Sequence, residues 1–252
     1  MKRAIAIYSN KGGVGKTTTA VNLTACLALS GKRVLLMDLD PRGLAAGRLG
    51  SQRSGAPCNV ITSPEKLKSA PIQADYPNIC IIPPSPALTD LDQTLGANGD
   101  VAARFREGME EVKQSFDYLI VDCPPTLGAI SRTALGAVDG TILPIQCEPY
   151  AFEGLGSLLQ DIAEFRKKVH PKLLLDGVLL TLLDPADPSS LDVARQVSLR
   201  KDCRVFRSAI PRDPAVVAAA QRGLPLVESD IGSRAARAYV ELAREVLSYA
   251  GT

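Results

Sequence analysis

The sequence predicts an α/β fold with a mostly parallel, twisted sheet and helices on both faces. Three observations carry that expectation. Strand-like aliphatic runs alternate with helical patterns along the whole chain, the signature of βαβ units. Hydrophobic residues make up 46% of the 252 residues while aromatics make up 4% and Trp is absent. Such a core is built from Val, Ile, Leu and Ala, as suits parallel strands covered on both sides. No internal repeat or low-complexity linker interrupts the pattern, so residues 1–252 read as a single domain.

The elements follow in order. AIAIY (4–8) is the first strand, followed by a glycine loop and a helix from about Lys16 to Leu29. Gly31 stops that helix, and RVLLMDLD (33–40) is the next strand. Pro41 to Pro77 is rich in Gly, Ser, Pro and Arg with weak periodicity, which predicts a mobile surface region with a short helix near Glu65–Ser69. NICII (78–82), YLIVD (118–122), TILPI (141–145) and LLLDGVLLT (173–181) supply further strands. At the C-terminal end, Ala236, Tyr239, Val240, Ala243 and Val246 recur at helical spacing. Arg234, Arg237, Glu241, Arg244 and Glu245 fall on the other side, predicting an amphipathic helix packed on the sheet.

Charge and cysteine usage exclude several classes. The formal net charge is +2, so no global field points to nucleic acid and any basic surface is local. Six cysteines (Cys26, Cys58, Cys80, Cys123, Cys147 and Cys203) form no CxxC pair, which argues against a zinc or iron–sulfur site. The apolar run in MKRAIAIYSN is too short for a signal peptide. No apolar run approaches the roughly 20 residues a bilayer requires. These features predict a cytoplasmic protein without a membrane partner.

SNKGGVGKTTTA (9–20) follows a strand and opens a helix, the setting a phosphate-binding P-loop requires. Gly12, Gly13 and Gly15 admit backbone conformations closed to other residues. The N–H groups of residues 12–18, Val14 and Thr18 among them, then point at phosphate oxygens. Lys16 is placed to reach the β- and γ-phosphates, and the Thr17 hydroxyl to ligate Mg²⁺. FDYLIVDCPP ends a strand in Asp122, positioned to hold a Mg²⁺-bound water. An aspartate at a strand end is by itself as often a cap or turn residue; beside the loop it reads as a metal partner. RVLLMDLDPRG adds Asp38 and Asp40, which alternation puts on one face. Asp40 reads as a positioner of the attacking water and Asp38 as a metal partner, with capping or a turn before Pro41 the structural alternative for both. The fold class thus narrows to a single-domain P-loop NTPase that uses ATP and Mg²⁺.

Together, KGGVGKTT, VLLMDLDPRG, YLIVDCPPTLG, LPIQCEPYAFEGL, GVLLTLLD, AIPRD and ARAYVELAREV resemble the ParA/MinD family of deviant Walker A ATPases, most of all its short chromosomal, Soj-like branch. The resemblance runs from about residue 3 to 249. It implies slow, partner-stimulated ATP hydrolysis by a homodimer that sandwiches two nucleotides. In such a sandwich the second lysine of the loop, Lys11, reaches the partner's phosphates and offsets the repulsion between two triphosphates. It further implies switch-like loops at Asp40–Gly43 and Asp122–Gly128. Adenine would lie against Ile210–Asp213, with Pro211 the contact. The implied role is a positioning switch for chromosome, plasmid or protein cargo, with a ParB-like adaptor and non-specific DNA binding that associates it with the nucleoid.

Two stretches depart from the family pattern. A DPQGN-like run is here DPRGLAAG, with Arg42 and Leu44 in place of amide residues. Where DNA-binding arginines would stand, the chain has Asp187 and Pro188, and then Ala215 and Val216. Residues 190–252 still hold ten Lys/Arg against seven Asp/Glu. Arg195, Arg200, Lys201, Arg204, Arg207, Arg212, Arg222 and Arg234 are candidates for a relocated DNA patch, the alternative being a solvated mixed-charge face. A MinD-like membrane regulator would need an amphipathic, basic C-terminal tail, which REVLSYAGT does not offer. An iron–sulfur reductase would need paired cysteines, and Cys123 stands alone beside Asp122. A small-molecule ligase or kinase on this fold would need a specific acceptor.

Overall fold

The strands form along predominantly aliphatic runs, rich in the β-branched and leucine side chains that pack on a covered sheet. The computed structural model describes residues 2–49, 59–89, 91, 99–149 and 151–249. Among these, β1 (Arg3–Ile7), β2 (Val34–Asp38), β3 (Ile72–Gln73), β4 (Ile79–Ile82), β5 (Tyr118–Asp122), β6 (Gly140–Gln146) and β7 (Leu174–Thr181) form one sheet in the order β3-β4-β2-β5-β1-β6-β7. All pairs are parallel except β3 with β4. The central strands β1, β2 and β5 are buried at every residue, as continuous aliphatic runs require.

Alternation sends the two halves of each strand to two cores. Ala4, Ala6, Leu35, Met37, Leu119 and Val121 face one side. Ile5, Ile7, Val34, Leu36, Tyr118 and Ile120 face the other. The helices are α1 (Lys16–Leu29), α2 (Gly99–Lys113), α3 (Ala129–Ala137), α4 (Ala151–Lys168), α5 (Pro188–Ser198), α6 (Pro214–Gln221), α7 (Leu226–Ser229) and α8 (Arg234–Tyr249). Residues of α2, α3, α4 and α5 fill the first core, those of α1, α6, α7 and α8 the second. Pro144 sits inside β6 although proline lacks an N–H. Pairing with β1 runs only to Ile142, so Pro144 lies beyond it.

The end of β2 and the stretch after it differ from expectation. β2 stops at Asp38 rather than at residue 40, because the Asp38 carboxylate accepts the N–H groups of Asp40, Ala45 and Ala46 and turns the chain out of the strand. The stretch from Pro41 to Pro77 is more than surface. Ala45, Leu49, Val60, Ile61 and Leu67 are buried, β3 pairs there, and the expected helix is a 3₁₀ turn at Pro64–Lys66. Residues 50–58 of that stretch, Cys58 included, lie outside the described residues.

The C-terminal helix α8 buries Ala236, Tyr239, Ala243 and Val246 as its spacing predicts, with Val240 half-buried. Glu245 departs from the solvent face expected for it. Its carboxylate accepts Arg207 N at 3.0 Å, Ser208 N at 2.8 Å and the Ser208 hydroxyl at 2.6 Å. Glu245→Ala is therefore expected to lower unfolding stability by about 2 kcal/mol, the scale of hydrogen bonds to a charged acceptor. Urea unfolding followed by circular dichroism measures it, and an unchanged midpoint would refute this tie.

Candidate nucleotide site

Register sets the frame of the site. In neighbouring strands Asp38 stands opposite Asp122, and Asp122 stands opposite Ile7, the last residue of β1. β1 is flanked by β5 on one side and β6 on the other, so the loop leaving its C-terminal end enters the crevice where strand order reverses. Gly13 (φ 78°) and Gly15 (φ 88°) take left-handed conformations that side chains disfavour, and the loop closes over them into α1. No side chain caps α1 and its first turn carries no acid, so its leading N–H groups are left for an anion. At the far side the loop is tied to β7, where the Thr181 hydroxyl donates to Val14 O at 2.9 Å.

Lys16 is 5% exposed, and its ammonium donates to Lys11 O at 2.7 Å across the mouth of the loop. Burial pulls its pKa down, opposed mainly by the charge of Asp122. Asp122 is fully buried, and neither carboxylate oxygen has a partner within hydrogen-bond geometry. Burial raises its pKa well above the carboxylate range, the Asp38 charge adds to this, and the Thr17 hydroxyl lies near enough to oppose it. Asp38 is likewise raised by burial, with the N–H groups of Ala46, Ala45 and Asp40 holding it back. Two buried acids side by side, one of them without a partner, need a cation or a proton between them. That requirement fits Mg²⁺ held through Thr17 and Asp122-bound water. Among the described residues no group of three or more His, Cys, Asp or Glu is arranged to hold a metal.

Asp40 is 4% exposed and is bound through both oxygens by Arg42, with Nη2 2.7 Å from Oδ2. Burial alone would push Asp40 up; the hydrogen bonds from Arg42 outweigh it and hold the carboxyl below its ordinary range. Lys11 lends its main-chain carbonyl to Lys16, while its side chain turns away from the loop. Its side chain is 58% exposed and forms an ion pair with Glu148, just beyond β6. Thr18 accepts a hydrogen bond from Arg48 Nη1 at 3.3 Å. Pro211 bridges to Leu183, two residues past Thr181, so Ile210–Asp213 runs beside the β7 end of the loop.

The basic candidates divide. Arg195, Lys201 and Arg207 are exposed, and among the described residues their side chains make no ion pair or hydrogen bond. Arg222 is exposed and donates to the Ser229 hydroxyl. Arg200 binds Asp202 through two nitrogens and lies over the Phe152 ring. Arg204 packs over Phe206 and Tyr249 and faces Glu245. Arg212 lies 3.9 Å from Asp184, and Arg234 donates to Arg212 O. Sequence reasoning missed Arg48, Glu148 and Thr181 as site residues. Glu148 and Thr181 fall in the QCEPY and LLT blocks, but nothing in them shows what they touch.

A parallel sheet with this loop at its switch point defines a P-loop nucleoside triphosphatase with an additional lysine at the loop's leading edge. A family model described as an AAA domain matches residues 2–175. The chain is 38% identical over 249 residues to the sporulation initiation inhibitor protein Soj of Bacillus subtilis (strain 168), covering 98% of both chains. It is 36% identical to the chromosome partitioning protein ParA of Caulobacter vibrioides (strain NA1000 / CB15N), covering 98% of this chain and 94% of that one. Among solved structures it is similar to cobyrinic acid a,c-diamide synthase from Mycobacterium smegmatis with bound ADP and magnesium. The TM-score there is 0.84 at 30% identity, over 100% of this chain and 96% of that one. The chain belongs to the Soj/ParA family of partition ATPases.

Proposed function

We propose that this chain is an ATP-driven positioning switch of the partition type, closing as a homodimer around two ATP molecules. The observation that carries this reading is the division of labour between two lysines of one loop. Lys16 is buried at the mouth of its own phosphate site, while Lys11 is exposed and turned outward to Glu148. A cation so placed serves a second subunit better than its own nucleotide. Lys16, the loop N–H groups and Thr17 bind the ATP, Asp122 and Asp38 lie on the metal side, and Asp40 orients the attacking water. Bound Mg²⁺ would supply charge stabilisation at the β- and γ-phosphate oxygens. Pro211 lies on the adenine side.

The dimer so formed binds DNA without sequence preference through exposed basic residues, Arg195, Lys201, Arg207 and Arg222 the foremost. A ParB-like adaptor then stimulates hydrolysis and release, which makes the protein cytoplasmic and nucleoid-associated. Among the described residues no helix is long and apolar enough to cross a membrane. The solved neighbour described as a diamide synthase shares the fold at 30% identity, whereas the curated relatives at 38% and 36% are named for sporulation and partitioning, which favours the switch.

The test is binding of the Asp40→Ala protein to random-sequence duplex DNA with ATP and with ADP across a salt series. Binding should require ATP and fall by about 1,000-fold between 50 and 200 mM salt if about six phosphates are contacted. Absence of binding in a sample whose dimer is confirmed by light scattering would overturn the DNA tether.

A further inference from the structure

The Asp40 carboxylate has room for about four hydrogen bonds. Oδ1 accepts the Arg42 N–H at 3.1 Å and Arg42 Nε at 3.1 Å. Oδ2 accepts Nε at 3.2 Å and Nη2 at 2.7 Å. Among the described residues every hydrogen bond to this carboxylate comes from Arg42, whose main-chain N–H, shared Nε–H and Nη2 engage both oxygens. A carboxylate with both oxygens engaged by a cation is a weaker and less freely directed acceptor for a water.

We propose that Arg42 is a positioning residue that holds Asp40 out of use, and that ATP hydrolysis proceeds only when the guanidinium leaves the carboxylate. The inference rests on the reading of Asp40 as the residue that orients the attacking water. The clamp is local and releasable. The Arg42 side chain is 61% exposed against 5% for Asp40, and the two residues are held in one turn by the Gly43 N–H donating to Asp40 O at 2.9 Å. Water reaches the guanidinium side of the pair and screens it, while the carboxylate stays buried. The guanidinium also lies within electrostatic reach of Lys16, Asp38 and Asp122, where a bound triphosphate would place its terminal charges. Phosphate oxygens and the Asp40 carboxylate therefore compete for one planar, two-pronged donor. While Arg42 stays on Asp40 turnover is slow, and once it moves away Asp40 is free to accept a hydrogen bond from water.

Steady-state phosphate release by the full chain tests this in the wild type, R42Q, R42K and the R42Q/D40A double variant, with nucleotide affinity measured on each. R42Q removes the charge and the two-pronged grip, and is expected to raise basal kcat roughly fivefold to tenfold, with KM for ATP changing less than about twofold. R42K, a single-point donor, should show a smaller rise. R42Q/D40A should be inactive, showing that the gain runs through Asp40. A kcat for R42Q at or below the wild-type value, with ATP still bound, would overturn the proposal and make the guanidinium an aid to hydrolysis. So would residual turnover in the double variant equal to that of R42Q. If R42Q does not fold, R42K decides by the same criterion. Full activity in D40A alone would instead mean that the reading of Asp40 is wrong, a distinct failure.

Discussion

Asp40→Ala is expected to reduce ATP turnover by about 100- to 10,000-fold while leaving ATP binding intact, the range that removal of a positioned acid–base group gives. The fold should tolerate the change. The contacts that hold the Asp40 backbone are its own N–H to Asp38 and its carbonyl from Gly43, and alanine keeps both. Among the described residues the side-chain partner lost is Arg42, which is already largely in solvent. Nucleotide binding should even tighten, because a carboxylate leaves the neighbourhood of the phosphates and a guanidinium is released towards them. The loss thus falls on kcat, with KM unchanged or lowered, and the protein should accumulate as an ATP-bound dimer. Single-turnover phosphate release, with nucleotide affinity from a fluorescent ATP analogue, separates the two quantities. Turnover within a few-fold of wild type would move the water-orienting role to another group, Asp38 being the nearest carboxylate on the same turn.

What the sequence made legible was whatever local chemistry dictates. The glycine loop, the helix after it and the acid ending β5 sit where their spacing predicts, because a continuous aliphatic run, a turn and a helix start are local properties. Pairings between distant segments were not legible. Lys11 and Glu148 are 137 positions apart, and only the topology that sets β1 beside β6 brings them together. Arg42 stood out as a departure from the family pattern, yet nothing in DPRG says that its side chain turns back on Asp40 rather than towards solvent. The basic C-terminal third shows the same gap. A count of arginines registers charge, but Arg204 spends its guanidinium on Phe206, Tyr249 and Glu245, which no count reveals. The two-residue strand β3 and the buried Val60 and Ile61 were missed because they are too short to show a period.

Lys11→Ala is expected to abolish the ATP-dependent dimer and, with it, turnover, while ATP binding by the single subunit survives. Survival follows from the geometry. The group of Lys11 that Lys16 uses is the main-chain carbonyl, at 2.7 Å, which alanine supplies equally well. The Lys11 ammonium meanwhile lies on Glu148 and not over the loop. Loss of the dimer follows from electrostatics. Two triphosphates brought face to face repel, and each subunit would contribute one lysine to offset that. A unit charge 4 Å from a unit charge is worth about 4 kcal/mol at an effective dielectric constant of 20, so one such contact changes an equilibrium by about 1,000-fold. A sandwich that loses two of them should not assemble at micromolar protein. Glu148→Gln is the informative companion, because it frees Lys11 without removing it and should leave the dimer intact or strengthen it. Light scattering with ATP and Mg²⁺ reads all three proteins. A Lys11→Ala dimer as stable as wild type would end the case for a lysine donated across the interface and leave Lys11 as the local partner of Glu148.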